Sequence, residues 1–394
     1  MKKPVLALVP SAYKTNKVYS VLPVNGDGDF TFSRTGDGTR VKENGLIETI
    51  VGSNNPRLNW DINCPSLLCE PRKTNYGIFG SNLNNWSTTV TGGSVTKTAN
   101  WSVAPNGLEE ATRLEITMNS GVGNYALLYQ ETFAIVGNYT ASVYIKSNTS
   151  RSQDVVVVAR NSVVEQSYSI GSEWTRIEVQ GSTISGESAY IDIGLWYDVV
   201  PITQDLDISV WGGQIEVGLS ATSYIDTPSY QAVTRNKEHT IISELTAETQ
   251  FNHKEGVAII DVEPYILDPI VSQSLVSQIK LQGGTYDQIA FEFKPNNVLE
   301  FYVNNGTGTP AVEYDYTHSG GRIKAAIGWF NGSYRLFANG QFITSFNTTQ
   351  EFTVLEEFKF EFNTGLKEFK GKVYGVQVFD ELLSDAEIKK LTEL

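Results

Sequence analysis

Two Asn-Gly pairs, Asn331-Gly332 and Asn339-Gly340, constrain this chain more than any other local feature. Asn and Gly both tolerate positive φ, which the two central positions of a type I′ hairpin turn require. Each pair lies between β-forming, aromatic-rich runs. Ile323 to Phe330, Tyr334 to Ala338 and Phe342 to Phe346 are therefore predicted to form an antiparallel meander. Phe352 to Phe362 and Lys372 to Phe379 are expected to pair as well. The pattern changes at Ser384-Asp385-Ala386-Glu387, which is a capping box. Ile388, Leu391 and Leu394 then give one apolar stripe, so a short terminal helix should pack on the sheet.

The rest of the chain also reads as strands. Val, Ile, Thr, Tyr and Phe are plentiful, and 34 Gly supply turns. In Tyr139-Thr140-Ala141-Ser142-Val143-Tyr144-Ile145-Lys146 the odd positions are apolar and should face a core. Thr140, Ser142 and Lys146 should face out, with Tyr144 straddling the surface. Val155 to Val158 reads as a strand covered on both sides. Trp174 to Val179, Tyr190 to Trp196 and Leu206 to Val217 add more strands. Trp174 and Trp211 are assigned to the core.

At 394 residues the chain exceeds one ordinary core. Three zones are expected: an N-terminal arm over 1–75 that needs a partner surface, a β-sandwich over 76–230, and a second sandwich over 231–394. Pro228 and Gln231 to Glu238 read as the linker. The fold class is all-β.

Charge excludes some functions. A net charge of −14 repels a phosphate backbone, so nucleic-acid binding is not expected. No apolar run reaches bilayer length. Met1 to Pro10 imitates a secretion signal, but Pro10 cuts its apolar stretch and no small-residue cleavage site follows. Retention in a cytoplasm is expected, and there Cys64 and Cys69 should stay reduced, although their short separation would permit a bridge.

Candidate chemistry is sparse. Asn25, Asp27 and Asp29 place oxygens at alternate positions, a spacing used by calcium loops. A plain Gly/Asp turn explains them better, and no cofactor is expected beyond that possible calcium. Asp261 and Glu263 share one face of a strand, as glycosidase carboxylates do. Flanking carboxylates are missing, with Ile259 and Tyr265 in their places, so the exposed face of an edge strand is the better account. His239, His253 and His318 show no ligand spacing. Neither Gly-x-Ser-x-Gly nor a phosphate loop is present. Arg40, Arg72 and Arg235 read as structural. Aromatic planes stack on apolar sugar faces. Trp196, Tyr197 and Trp329 are the glycan-binding candidates, with Trp101 and Phe330 beside them, against a reading as core.

Several segments resemble a known family. These are Ser66-Leu67-Leu68-Cys69-Glu70-Pro71-Arg72-Lys73-Thr74-Asn75, the pair Asn85-Trp86, Ala104-Pro105-Asn106-Gly107 and the step Gly171-Ser172-Glu173-Trp174-Thr175-Arg176. The strand Tyr139 to Lys146 belongs with them, as do Trp211-Gly212-Gly213-Gln214-Ile215-Glu216-Val217 and Ala221-Thr222-Ser223-Tyr224-Ile225. In order, they resemble tail and head-decoration proteins of bacteriophages with a carbohydrate-binding-module-like sandwich. Tyr13 to Pro23 and Gly26 to Phe30 resemble openings found in phages of Bacteroidetes hosts, including the crAss-like group. Gly371 to Phe379 with Leu383 to Ile388 is similar to the end of a laminin-G/concanavalin-like jelly roll. The resemblance implies a structural head or tail fibre on a virion, docked to capsid or tail proteins through the N-terminal arm. It further implies a homotrimer or dimer that adheres to glycans and is not an enzyme. A polysaccharide depolymerase and a free bacterial glycan-binding protein are the alternatives.

Overall fold

The computed structural model describes residues 2–60, 64–161, 166–199, 201, 204–242, 251–265, 277–283, 287–305, 310–349, 351–361 and 368–394. The chain is all-β with one short helix, and it divides into two compact units. One comprises Met1–Asp37, Ile50–Pro71 and Asn236–Leu394; the other comprises Gly38–Thr49 and Arg72–Arg235. No helix among the described residues is long and apolar enough to cross a membrane.

The first unit is a sandwich of an eight-stranded and a nine-stranded sheet. The predicted meander forms its edge. Ile323–Phe330 pairs with Ser333–Ala338, which pairs with Gln341–Asn347. Asn331 and Gly332 have φ of 45° and 77°, and Asn339 and Gly340 have 46° and 76°. The sheet continues through Glu255–Pro264 and Gly371–Phe379 to Ser66–Cys69 and Leu58–Asn59. Phe30, Phe291, Phe301, Phe358, Ile327 and Trp329 fill the core between the sheets. Helix Asp385–Leu391 starts at the expected capping box and buries Ile388. Leu391 is partly buried beside it, but Leu394 lies beyond the helix and is 66% exposed.

Residues 1–75 do not form a separate arm. Leu6–Leu8 pairs with Gly371–Phe379, and Phe30–Ser33 pairs with His239–Ile242. Their apolar side chains, among them Leu6, Leu8, Phe30 and Leu67, join a core that comes mostly from Phe251 to Val378. Among the described residues, the expected pairing of the Phe352 region with Lys372 to Phe379 is not found. Glu357–Lys359 instead joins the nine-stranded sheet, between His239–Ile242 and Ser277–Gly283.

This unit also buries an ion cluster. Arg57 is fully buried and donates to both Glu70 and Glu238. Arg34 Nη1 reaches Glu238 at 3.0 Å, and the Tyr265 hydroxyl donates to Glu70 at 2.6 Å. Buried charges survive only when paired in this way. Glu238, expected in a linker, is 4% exposed for this reason.

The second unit packs two five-stranded sheets. One runs Gly93–Val103, Glu109–Met118, Leu206–Val217, Gly137–Ser147, Thr175–Thr183. The other runs Ser87–Thr91, Tyr125–Thr132, Ala189–Trp196, Gln153–Ala159, Gln166–Ile170. Tyr139, Ala141, Val143 and Ile145 face the core as predicted, and Val155 to Val158 are all buried. Thr140 and Ser142 are buried too, contrary to expectation. The chain beyond Val217 lies over their face, and Thr140 donates to the Gly218 carbonyl.

Several of the segments that carry the resemblance, Asn75, Trp86, Trp211 to Val217 and Ala221 to Ile225 among them, meet in this unit. Asn75 is fully buried and uses its whole amide. Its Nδ2 donates to the Gly213 and Ile225 carbonyls at 3.2 and 2.9 Å. Its Oδ1 accepts from the Gly77 and Ile215 amides, each at 2.9 Å. A Cβ on Gly213 would collide with the Trp86 ring, whose Nε1 donates to Ile78 at 2.8 Å. Glu216 is fully buried and accepts from the Thr222 amide and hydroxyl at 2.9 and 2.6 Å. These motifs are the sandwich's internal fastenings.

Candidate functional site

The side chains of the Ala189–Trp196 strand alternate. Ala189, Ile191, Ile193 and Leu195 are fully buried, so Tyr190, Asp192 and Trp196, each partly buried, lie on the other face, with Gly194 buried between the last two. Register extends this outer face to the neighbouring strands. Tyr125 stands opposite Trp196, Leu127 opposite Gly194, Tyr129 opposite Asp192 and Glu131 opposite Tyr190. Val156 and Val158 stand opposite Gly194 and Asp192 on the other side. Directly opposed Cβ atoms lie about 4.5–5.5 Å apart, so Tyr129 stands beside the Asp192 carboxylate, Tyr190 is the next outward residue on its strand, and the Tyr125–Trp196 pair lies further along the same row. At ~3.3 Å per residue the row from Asp192 to Trp196 is about 13 Å long.

The rings are held. Tyr125 and Trp196 meet edge-on with centroids 6.4 Å apart. Thr91 and Thr89 hydrogen-bond to the Tyr125 phenol and hold its pKa below the ordinary value. The Arg160 guanidinium lies 5.0 Å over the Tyr190 ring while its Nε donates to the Ser188 carbonyl at 2.7 Å. Beneath, the Tyr139 hydroxyl donates to the Tyr190 carbonyl at 2.9 Å and accepts from the Tyr190 amide at 3.1 Å. The polar backbone of Tyr190 is thereby fixed from the core side.

Asp192 is the unusual member. Burial pushes its carboxyl up to about 7, with the nearby Glu131 charge adding to this and Arg160 opposing it. No described residue hydrogen-bonds to its carboxylate. A half-buried acceptor among aromatic rings can take hydroxyl donors from a ligand whose apolar faces stack on those rings.

Of the predicted glycan residues, Trp196 lies on this face. Tyr197 follows the strand end, half-buried, with its amide on the Asn124 carbonyl at 3.0 Å. Trp329 does not qualify. It is 1% exposed in the first unit's core, with Nε1 on the Asn252 carbonyl at 3.1 Å. Its neighbour Phe330 takes the outward position, 46% exposed. Trp101 is 47% exposed on the other sheet, and the Arg113 guanidinium covers its ring at 4.3 Å. Trp211 is core, but Trp174 is half-buried, with Nε1 on the Val103 carbonyl and Lys146 over its ring.

The calcium candidates do not converge. Asn25 Nδ2 donates to Asp27 at 2.7 Å and the Asp27 amide donates back to Asn25. Asp29 is 5% exposed and turned to the Ser20 amide at 2.9 Å and the Lys17 ammonium at 3.4 Å. Asp261 and Glu263 are also committed. Arg322 grips Asp261 through two 2.7 Å hydrogen bonds, and Glu263 accepts from Tyr374 at 2.9 Å. Their strand is not at an edge, since Ile323–Phe330 and Gly371–Phe379 flank it.

One cluster escaped sequence reasoning because its members are far apart in the chain. His239 Nδ1 lies 3.0 Å from Glu368 and 3.5 Å from Glu361. Among the described residues it is the one group of three such ligands. The hydrogen bond to Glu368 raises the His239 pKa against burial, and the Lys237 ammonium sits on Glu368 at 2.7 Å. This is the pattern of an ion-pair network. Cys64 and Cys69 are unbridged.

No family model matches the chain, and no curated protein matches it. Solved structures do. A CBM40 carbohydrate-binding module of a Ruminococcus gnavus IT-sialidase, bound to α2,3-sialyllactose, is 17% identical over 36% of this chain and 83% of that one, with a TM-score of 0.28. The mouse laminin α1 domains LG4-5 are 11% identical over 68% and 89%, at 0.25. The CBM22 tandem of Paenibacillus barcinonensis Xyn10C is 12% identical over 77% and 97%, at 0.26. The sandwich architecture stands on this chain's own sheets, and what those proteins bind belongs to them.

Proposed function

We propose that this chain is a glycan-binding protein that does no covalent chemistry, and that it binds through the outer face of the Ala189–Trp196 sheet. The observation that carries this reading is a row of outward residues on one face, with Tyr129 and Tyr190 beside the Asp192 carboxylate and the Tyr125–Trp196 pair further along it. Rings supply flat apolar area at low entropic cost, and the carboxylate supplies orientation. The paired acids that a depolymerase would need are tied to Arg322, Lys372 and Tyr374. A glycan array probed with the purified chain and with Trp196→Ala tests the reading. Signals lost in the variant, with thermal stability kept, support it. Signals unchanged in the variant sink it.

A place on a phage particle, as a head or tail fibre that is trimeric or dimeric, rests on the sequence resemblance alone. Cryo-electron microscopy of the virion tests it: density for this chain sustains the assignment, and a particle without it removes the assignment.

A further inference from the structure

The charge on the outer face narrows the ligand class, given that this face binds glycan at all. Among the described residues, three carboxylates belong to it. Asp192 is central and makes no hydrogen bond to a described residue. Glu131 stands opposite Tyr190 and accepts from the Ser188 hydroxyl at 2.9 Å. Asp154, exposed, stands on the same face two residues before Val156. The cation nearest the face is Arg160. Its Nε is on the Ser188 carbonyl, its Nη1 is 3.8 Å from Glu187, and its plane lies on Tyr190. Where Asp192 is ionised, a ligand anion brought down onto the rings would meet its charge, with Arg160, shared among Glu187, Ser188 and Tyr190, as the cation that opposes it. Like charges brought together on a desolvated surface are strongly disfavoured.

A neutral sugar meets the opposite situation. A carboxylate accepts from two hydroxyls at once, and adjacent ring hydroxyls present two donors on one edge. With Gly194 contributing no side chain between Asp192 and Trp196, one ring can stack near Trp196 and Tyr125. The next can then present its hydroxyl edge to Asp192.

We infer that this face selects neutral glycans, taking an adjacent pair of ring hydroxyls on Asp192, and rejects sialylated, uronic and sulfated ones. Rejection is a designed feature of the site in this account, because Asp192 opposes the wrong ligand as well as fixing the right one.

The test is an array of matched pairs, each neutral oligosaccharide printed beside its sialylated, uronic and sulfated counterparts. It is probed with the intact chain, Asp192→Asn and Trp196→Ala. The expected result is neutral signals, lost in Trp196→Ala, with the acidic counterparts about tenfold weaker or more. Asp192→Asn weakens the neutral signals and narrows that gap, since an amide keeps the shape and removes the charge. Acidic glycans bound preferentially and lost in Trp196→Ala would overturn this selectivity while leaving the glycan-binding reading intact. No signal dependent on Trp196 would remove both. An equal gap in Asp192→Asn would also overturn the inference, because the rejecting charge would lie elsewhere.

Discussion

Replacing Asn75 by Ala should cost the second unit more than any surface change. The truncation leaves the Gly77 and Ile215 amides unpaired in a site with no solvent access, and it removes donors from the Gly213 and Ile225 carbonyls. Each orphaned buried amide costs about 1–3 kcal/mol, and the carbonyls, with second lone pairs, less. The two amides give ~2–6 kcal/mol together, and a central value of ~4 kcal/mol is expected. For a unit of this size each kcal/mol moves Tm by roughly 2–4 °C, so a fall of roughly 8–16 °C should appear by calorimetry. Asn75→Asp separates the two halves of the argument. It keeps an acceptor for the amides but sets a second carboxylate oxygen against two carbonyls, so it should be at least as damaging at neutral pH. A loss below ~1 kcal/mol for Ala, or an Asp variant as stable as the parent, would refute the reasoning.

Asp192→Asn should change the pH dependence of stability. The folded carboxyl titrates near 7 against an ordinary 3.8. Its contribution is thus fully present below about pH 4 and lost as pH rises through 7. The Asn variant should match the parent near pH 4 and exceed it at pH 8. The ceiling is ~4 kcal/mol at about 1.4 kcal/mol per pH unit, and after solvent screening ~1–2 kcal/mol is expected from urea melts at both pH values; a constant difference would contradict this. Trp329→Ala should destabilise the first unit by ~3–5 kcal/mol and leave glycan signals of the folded protein unchanged, whereas a selective loss of binding would return Trp329 to the site. Arg57→Ala removes the buried cation shared by Glu70 and Glu238, leaving Glu238 to Arg34 and Glu70 to Tyr265, and a loss of ~3–5 kcal/mol is expected in chemical denaturation; a neutral outcome would show that the cluster is hydrated.

Strands and turns were legible because their signals are local. Alternation at Tyr139 to Lys146 and the two Asn-Gly turns needed no knowledge of the rest of the chain. What lies over each face was not legible. Thr140 and Ser142 are covered by residues beyond Val217, and Asp261 stands mid-sheet because neighbours arrive from residues 323–330 and 371–379. The segment 1–75 lacked a periodic core of its own for the same reason: its partner strands lie at the other end of the chain. The His239, Glu361 and Glu368 group joins a strand residue to two residues more than a hundred positions later, so no spacing could announce it.

The candidate site shows the limit from the other side. Trp196 was found by its residue type, and Tyr190 and Asp192 stood in the same alternating run. Tyr125 and Tyr129 required the register of a strand more than sixty residues earlier. The segments that most resembled a family, by contrast, are those whose identity is dictated by packing: Gly213 under Trp86, Asn75 with its amide fully used, Glu216 locked to Thr222. Such positions report a way of closing a sandwich. The aromatic and acidic positions of the proposed binding face are under less of that demand, although Leu127, Val156 and Val158 on the same face are buried. Motif resemblance and ligand choice therefore sit on different residues of this unit, and selectivity has to be read from the charges and rings of the outer face itself.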